Sequence, residues 1–417
     1  MLKCQDMPYH IGVKIKLYLS RNGKRLVAVN AGAQRSVYNL LVATNNEIWR
    51  LSKAAVCTPV YRERIAHLRQ KISSTAEIKN ALPYVYGKDV DCQTVENGIR
   101  NYRTAWKNRK ERHCGVPTFH KKSAGCSYQT NCHYKAGDTG LSDGTVRFLD
   151  AHHILLPKLG KVRCSGSPKQ IDMLLHHNDD TRIGTITIER DAVGEYWASL
   201  QISSVHPFFQ KFEKTGSQLG IDMNLLELIN GSDGSSYENH RFRKNVESKL
   251  AKQQHILSRR YERAKADNRK LSDCRNYQKQ RTLVAKLHRQ VARQRNDYLN
   301  CISRHLVENQ DLIAAEDLKV RNMLRNHKLA RSIADAGWRT LLTKLQQKAE
   351  MYGKTVVLVS PQYTTQTCSS CGHVLEKAER IPLSVRQWDC PCCGTHHMRD
   401  INAATVILNK ALAQVSA

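Results

Sequence analysis

CSSCGHVLEKAERIPLSVRQWDCPCCGTHHMRDINAATVI, residues 368–407, sets two cysteine pairs just ahead of an acid that opens an apolar helical pattern. Cys368 and Cys371 form one C-x-x-C knuckle and Cys390 and Cys393 a second, with eighteen residues between them. Gly372 and Gly394 follow the second cysteine of each pair and ease the turn that lets both thiols bite one ion. Four thiolates at this spacing make a closed tetrahedral site with no position left for water, so the sequence predicts one structural Zn²⁺. Cys392 sits inside CPCC but has the wrong bite with either neighbour and is left as a spare thiol. His396 and His397 are read as exposed polar residues rather than as substitute ligands. Asp400, seven residues after Cys393, could by itself be no more than a helix N-cap.

Upstream, two further acids close apolar runs. SQLGIDMNLLELIN (217–230) reads as a strand delivering Asp222 near its end, and DLIAAEDL (311–318) as a short buried strand ending in Glu316. A helix over about 327–352, the strand KTVVLVSP and the helix DINAATVILNKAL complete an α/β alternation after residue 217. Carboxylates at strand ends and helix starts are easily aimed at one point. Three together repel unless cations sit among them, and Mg²⁺ prefers such all-oxygen sites. Any one of these acids could equally be a cap or a surface charge.

Between the first two acids, about 239–307, runs a long basic helical pair. Eighteen Lys or Arg lie between Arg241 and Arg295, over a helical period of Val246, Leu250, Ile256, Leu283, Leu287 and Val291. Arg259, Arg260, Arg263, Arg281, Lys286, Arg293 and Arg295 are its candidate nucleic-acid contacts. Charge alone, serving solubility, would explain any one of them as well.

Residues 31–113 are helical in pattern, whereas from about 116 to 205 the period changes to two: TVRFLDAHHILLP, RIGTITIER and EYWASLQISS read as strands, with DAVGE as a hairpin turn. With the N-terminal MLKCQDMPYHIGVKIKLYLS, read as a strand, these are expected to close a small barrel carrying the helical segment as an insertion. Tyr38, Trp49, Tyr102 and Trp106 interleave with basic residues there and are read as core before base-stacking. Cys114, Cys126, Cys132 and His133 lack a two-residue bite and are not taken as a metal site.

Lys and Arg number 66 against 37 Asp and Glu, a net charge of +29 spread over most of the 417 residues. A globular protein this basic needs a polyanion, and nucleic acid is the usual one. No run approaches the ~20 apolar residues of a spanning helix, and the N-terminus lacks a secretory apolar core. Cys4, Cys57, Cys92, Cys274 and Cys301 stand isolated and are expected as reduced thiols, which suits a cytoplasmic location.

GIDMN, then AAEDL, then TxxxCSSCG…CPCCG…RDINAA resemble the RuvC-like nuclease half of TnpB proteins, transposon-encoded RNA-guided DNA nucleases related to compact type V CRISPR effectors. HKLARSIADAGWRTLLTKLQQKAEMYGKTVVLVSPQYTTQTC is similar too, KLHRQVARQRNDYLNCISRHLV is similar to the family's bridging segment, and GVPTFHKK (115–122) to the turn from helical lobe into barrel. The resemblance implies an α/β RNase H-like sheet in which Asp222, Glu316 and Asp400 hold catalytic Mg²⁺, two ions in all, and Cys368, Cys371, Cys390 and Cys393 hold zinc. It implies a wedge-type barrel over 1–30 and 115–208, a helical recognition lobe over 31–114, a nuclease domain over 209–362 and 397–417 with the basic insertion at 239–307, and a zinc ribbon over 363–396. Its partners would be a guide RNA and target DNA, the protein acting as a monomer. Two positions depart from the family: Met398 replaces the first Asp of Asp-Arg-Asp, and Asn224 stands where glycine is common. Three other readings share these residues: a nuclease-dead repressor, a strand-transferring transposase, and a zinc-ribbon RNA-binding protein without catalysis.

Overall fold

A computed structural model describes residues 4–416 except 55–57, 136, 139, 167–170, 172–173, 175–180, 377–378 and 383; the isolated thiol Cys57 lies outside the described residues. The chain divides into two compact units, Met1–Phe208 and Phe209–Ala417.

The first unit opens with β1 (Tyr9–Tyr18) and passes directly into helix α1 (Arg21–Ser52), ten residues before the expected start at 31. Ser20 caps it, its hydroxyl accepting from Gly23 N at 3.1 Å, and Leu26, Val27, Ala31, Val37 and Leu41 form its buried stripe. Helices α2 (Pro59–Lys71), α3 (Thr75–Asn80) and α4 (Cys92–Arg112) follow. Val37, Leu41, Ile78, Val95 and Ile99 build the core they share. The strands are β2 (Cys126–Asn131), β3 (Arg147–Asp150), β4 (His153–Leu156), β5 (Gly160–Ser165), β6 (Thr181–Arg190) and β7 (Tyr196–Ser204), in the order β2-β6-β7-β1-β5-β4-β3.

Two expectations fail here. TVRFLDAHHILLP is not one strand but the hairpin β3–β4, turning at Ala151 and His152 because the Asp150 carboxylate accepts from His152 N at 2.7 Å. The sheet, moreover, does not close as a barrel: among the described residues β2 and β3 share no ladder. The segment between them turns through left-handed Gly144, where a Cβ would meet Cys132 Sγ at 2.7 Å. Among the described residues, local bonds such as Thr145 N to His133 O, 3.0 Å, link the two edges.

The second unit is built on β8 (Gln218–Asp222), β9 (Glu227–Gly231), β10 (Ser236–Glu238), β11 (Leu312–Glu316) and β12 (Thr355–Val359), in the order β10-β9-β8-β11-β12. SQLGIDMNLLELIN thus makes two antiparallel strands, not one; the Asn224 carboxamide oxygen holds the turn by accepting from Leu226 N and Glu227 N. β8, β11 and β12 are parallel, and β11 is buried along its whole length, which explains its unbroken apolar run. Helices α5 (Glu247–Ala266) and α6 (Arg275–Asn309) form the basic pair; α7 (Ala330–Ala336) and α8 (Trp338–Tyr352) follow β11. The expected single helix over 327–352 breaks at Gly337, whose φ of +72° favours glycine and where a Cβ would lie 3.2 Å from Leu299.

Period two decides which face each strand residue meets. Leu219, Ile221, Ile313 and Ala315 join Leu299, Ile302, Leu341 and Leu345 in one core. Leu312, Ala314 and Val359 join Ile407 and Ala411 of α9 (Arg399–Ser416) on the other face. Each fully buried Leu or Ile contributes roughly 1.5–3 kcal/mol. The small hairpin β13 (Gln387–Asp389) with β14 (His396–Met398) carries the cysteine module to Met398, two residues past the expected end at 396. Among the described residues no helix is long and apolar enough to cross a membrane.

Candidate active site and metal centre

Asp222 is the last residue of β8 and Glu316 the last of β11, and the pairing of Ala315 with Ile221 sets them side by side at the carboxyl ends of adjacent parallel strands. That edge is where open α/β sheets present their ligands. By alternation both acids share the face that packs on α9, whose first turn carries Asp400. The three acids singled out in the sequence are thus brought to one edge by three elements.

Their electrostatics reflect this. Burial, then the charges of Glu316 and Asp400, push Asp222 up to about 7, while the Asn224 amide opposes the rise. Burial also raises Glu316, opposed by Thr364, whose hydroxyl donates to Glu316 Oε1 at 2.5 Å. Asp222 and Glu316 are only 9% and 8% exposed. Asp400 is more open and faces Arg386, whose Nη1 lies 3.4 Å from both carboxylate oxygens. All-oxygen donors, two of them raised chiefly by burial, fit a hard divalent cation such as Mg²⁺.

Sequence reasoning missed the residues that hold these acids. Gly220, two residues before Asp222, lets β8 touch α9: a Cβ there would sit 2.0 Å from Ala404 O. Its place inside GIDMN was the only available signal. Thr364 and Arg386 had none, because their partners lie 48 and 14 residues away.

Cys368, Cys371, Cys390 and Cys393 present sulfurs all within 4.8 Å of one another, the only such group of potential ligands among the described residues. Cys368–Cys393 and Cys371–Cys390 are each 3.7 Å apart. A tetrahedron of Zn–S bonds of about 2.3 Å has edges of about 3.8 Å, so the residues fit zinc as they stand. The Thr395 hydroxyl and N–H pull the Cys393 thiol down, whereas its neighbours Cys371 and Cys390 are pushed up. Cys392 remains a free, exposed thiol, and Cys114, Cys126, Cys132 and His133 are not gathered.

His397 corrects the sequence reading. It is 6% exposed, packs against Trp388 at 4.8 Å and brings Nε2 to 3.0 Å from Cys368 Sγ; the alternation of β14 turns it inward while His396 faces out and pairs with Asp389. The module is fastened to α9 through Asn402, which accepts from Ser369 N at 2.9 Å and donates to Thr367 O at 2.8 Å. Arg399 donates to Pro382 O at 2.8 Å and its N–H to Arg386 O at 2.8 Å. The cysteine excursion therefore grips the start of the helix bearing Asp400 from both sides.

On the basic pair, Arg259, Arg263, Arg281, Lys286 and Arg293 are exposed. Two other candidates are engaged in the fold. Arg260 donates to Asn276 O and Gln280 Oε1, pinning α5 to α6, and Arg295 donates to Ala334 O and lies 3.5 Å from Asp335. Tyr38 is buried, Trp49 exposed, and Tyr102 and Trp106 meet edge-to-face at 6.4 Å.

The second unit thus joins a mixed sheet with acids at its edge to a four-cysteine module. Residues 194–327 match the family model described as "Probable transposase" and residues 338–407 that described as "Cas12f1-like, TNB domain". A "Putative RNA-guided DNA endonuclease" of Streptomyces pristinaespiralis is 34% identical over 230 residues, 55% of this chain and 53% of its own length, so that alignment spans about half of the relative. InsQ of Escherichia coli K12, of the same description, is 28% identical over 399 residues, 91% of this chain and 86% of its own. In a cryo-EM structure of a Cas12f1–sgRNA–target DNA complex, the matching chain is superposable with TM-score 0.52 at 15% identity, covering 96% of this chain and 98% of that one, which shows the shared fold. Other matches carry the name TnpB-like protein. The chain is thus similar to proteins described as RNA-guided DNA endonucleases and to proteins described as TnpB-like.

Proposed function

We propose that this protein is an RNA-guided, Mg²⁺-dependent DNA endonuclease that takes a transposon-derived guide RNA and cleaves target DNA beside a short duplex motif. The observation that carries the reading is the convergence of Asp222, Glu316 and Asp400 on one sheet edge, with Asp222 raised by burial and then by the charges of the other two. Strand order β10-β9-β8-β11-β12, antiparallel then parallel, supports an RNase H-like, RuvC-type nuclease, whose domain would span 209–362 and 397–417. In this reading 1–30 and 115–208 serve as wedge, the helical segment up to residue 114 as recognition lobe, and the cysteine module as zinc ribbon.

Asp222, Glu316 and Asp400 would hold the Mg²⁺ ions, two by the family resemblance, and bound Mg²⁺ would activate water and stabilise the leaving oxygen of a phosphodiester. The chain's own residues do the positioning. Thr364 orients Glu316, Gly220 lets β8 lie against α9, and the zinc module fixes the start of that helix. Arg386, paired with Asp400 across the edge, is placed to meet a phosphate once a cation takes the carboxylate. Sequence choice is delegated to base pairing, so the basic surface, Arg259, Arg263, Arg281, Lys286 and Arg293 among it, has only to hold RNA and heteroduplex by backbone and shape. The presence of all three acids favours an active enzyme over a nuclease-dead repressor, while the departure Met398 lies 47% exposed on β14 beside Gln387.

The test is to purify the protein with the RNA it carries, sequence that RNA, and offer matching duplex DNA with a randomised flank. Cleavage by wild type but not by Asp222→Ala, needing RNA, Mg²⁺ and a particular flank, is the expected result. Guided binding without cutting would favour a repressor, joined DNA ends a transposase, and absence of RNA would overturn the guided mechanism.

A further inference from the structure

The acid edge of the second unit carries a cavity of about 410 Å³ that the catalytic reading does not use. Every segment lining it leaves the sheet at the end where the acids stand. Leu225 and Leu226 form the turn after Asp222. Arg241, Arg243 and Lys244 follow β10, which runs parallel to β8 two strands away, and Lys328 and Arg331 follow β11. Five cations thus converge from two segments. Two acids also line the cavity, and both are already engaged. Asp335 accepts from Arg243 N at 2.9 and 3.1 Å and lies 3.5 Å from Arg295, and Glu247 pairs at 3.7 Å with Arg331 on the open rim.

A further observation concerns the cavity wall. Arg241 is held in the left-handed region at φ +47°, unusual outside glycine, by its N–H on Asn239 Oδ1 and its guanidinium on Leu225 O. The volume exceeds what a bare phosphate needs and accommodates a nucleotide.

We propose that this cavity grips a backbone phosphate of the single DNA strand that is led to Asp222, Glu316 and Asp400, one register away from the bond to be cut. The assignment to DNA follows from position, since Leu225 and Leu226, which line the cavity, stand three and four residues after Asp222. It rests on the nuclease reading for its purpose but not for its measurement.

Lys328→Gln/Arg331→Gln removes two exposed charges without touching the core. Binding of a fluorescent oligothymidylate to the RNA-bearing protein is measured in EDTA over a salt series, with RNA content and melting temperature recorded alongside. The double variant is expected to bind on the order of tenfold more weakly, with the slope of log K against log salt shallower by about 0.7 for one lost phosphate, RNA content and melting unchanged. Unchanged affinity and slope would overturn the proposal. So would an equal loss in the matched variant Lys53→Gln/Lys88→Gln, which would make total charge the cause, and so would loss of RNA with DNA binding intact, which would give the cavity to RNA. Should wild type fail to cut guided DNA while the double variant still loses oligothymidylate, the nuclease reading falls and the cavity stands.

Discussion

Asp222 illustrates what it costs to bury an acid beside other acids. Its pKa is displaced from 3.8 to about 7 by burial and by two neighbouring acids. Between those values the folded chain holds a proton that the unfolded chain has released, so metal-free stability falls as pH climbs through that window. The displacement corresponds to roughly 4 kcal/mol at full effect. Asp222→Asn, which cannot ionise, is therefore expected to abolish cleavage yet raise the melting temperature of metal-free protein at pH 8, with little gain at pH 4. Calorimetry in EDTA at the two pH values checks this, and equal gains at both would contradict it. Mg²⁺ is expected to narrow the difference by favouring the ionised form. Two residues earlier, Gly220→Ala would drive a methyl into the Ala404 carbonyl, a backbone atom that cannot step aside. We expect a cost of at least about 2 kcal/mol, read by chemical denaturation, and a loss of cleavage larger than the loss of folded protein, because the displaced helix carries Asp400.

At the scale of elements, the zinc module and α9 act as one part. Cys390 is buried and Asn402 bonds the first knuckle to the helix. Cys390→Ser is expected to lose zinc, measured by elemental analysis, and cleavage with it. Asn402→Ala should keep its zinc while cleavage falls, since the ligands remain and only the tether is cut. Retention of full activity by Asn402→Ala would mean that zinc acts elsewhere than on Asp400. The sequence made the acids and the cysteines legible because each announces itself locally, by an apolar run that stops at a carboxylate or by a two-residue bite followed by glycine. What it concealed was relational. Arg260 and Arg295 look like any other basic residue on a helical face, and only the packing of α5 on α6 and of α6 on α7 reveals that they are committed. His397 looked polar and exposed because nothing in HHM says which way a three-residue strand turns. The N-terminal helix began early because Ser20 caps it, although its apolar stripe, Leu26 and Val27 included, was present to be read.

At the scale of the whole chain, charge and core are organised differently. The excess of 66 basic over 37 acidic residues is shared between the two units, and each unit has a core of its own: Val37, Leu41, Ile78 and Val95 in the first, Ile221, Ile302, Ile313, Leu341 and Leu345 in the second. The second also ties its own entry segment to its sheet. Lys354, buried beneath Asp311, donates to that carboxylate at 2.5 Å and to Glu213 O at 2.6 Å, while Thr215 N and Gly216 N donate to Asp311, holding its pKa well below the usual carboxylate range. A unit with a sheet, a core on each face and a fastened entry meets the conditions for folding alone. The fragment 209–417 is therefore expected to melt cooperatively and to retain zinc. Because Asp311 is held low, its contribution is present above the ordinary carboxylate pKa and is lost as pH falls through the depressed value; Asp311→Asn should weaken the fragment at pH 7 and much less in strong acid. The same fragment is expected to bind oligothymidylate in a salt-dependent way but to cut no guided target, since the first unit is missing. Guided cutting by residues 209–417 alone would show that 1–208 contribute nothing to target choice, and a fragment that does not fold would show that the two cores, separate as they are, depend on one another.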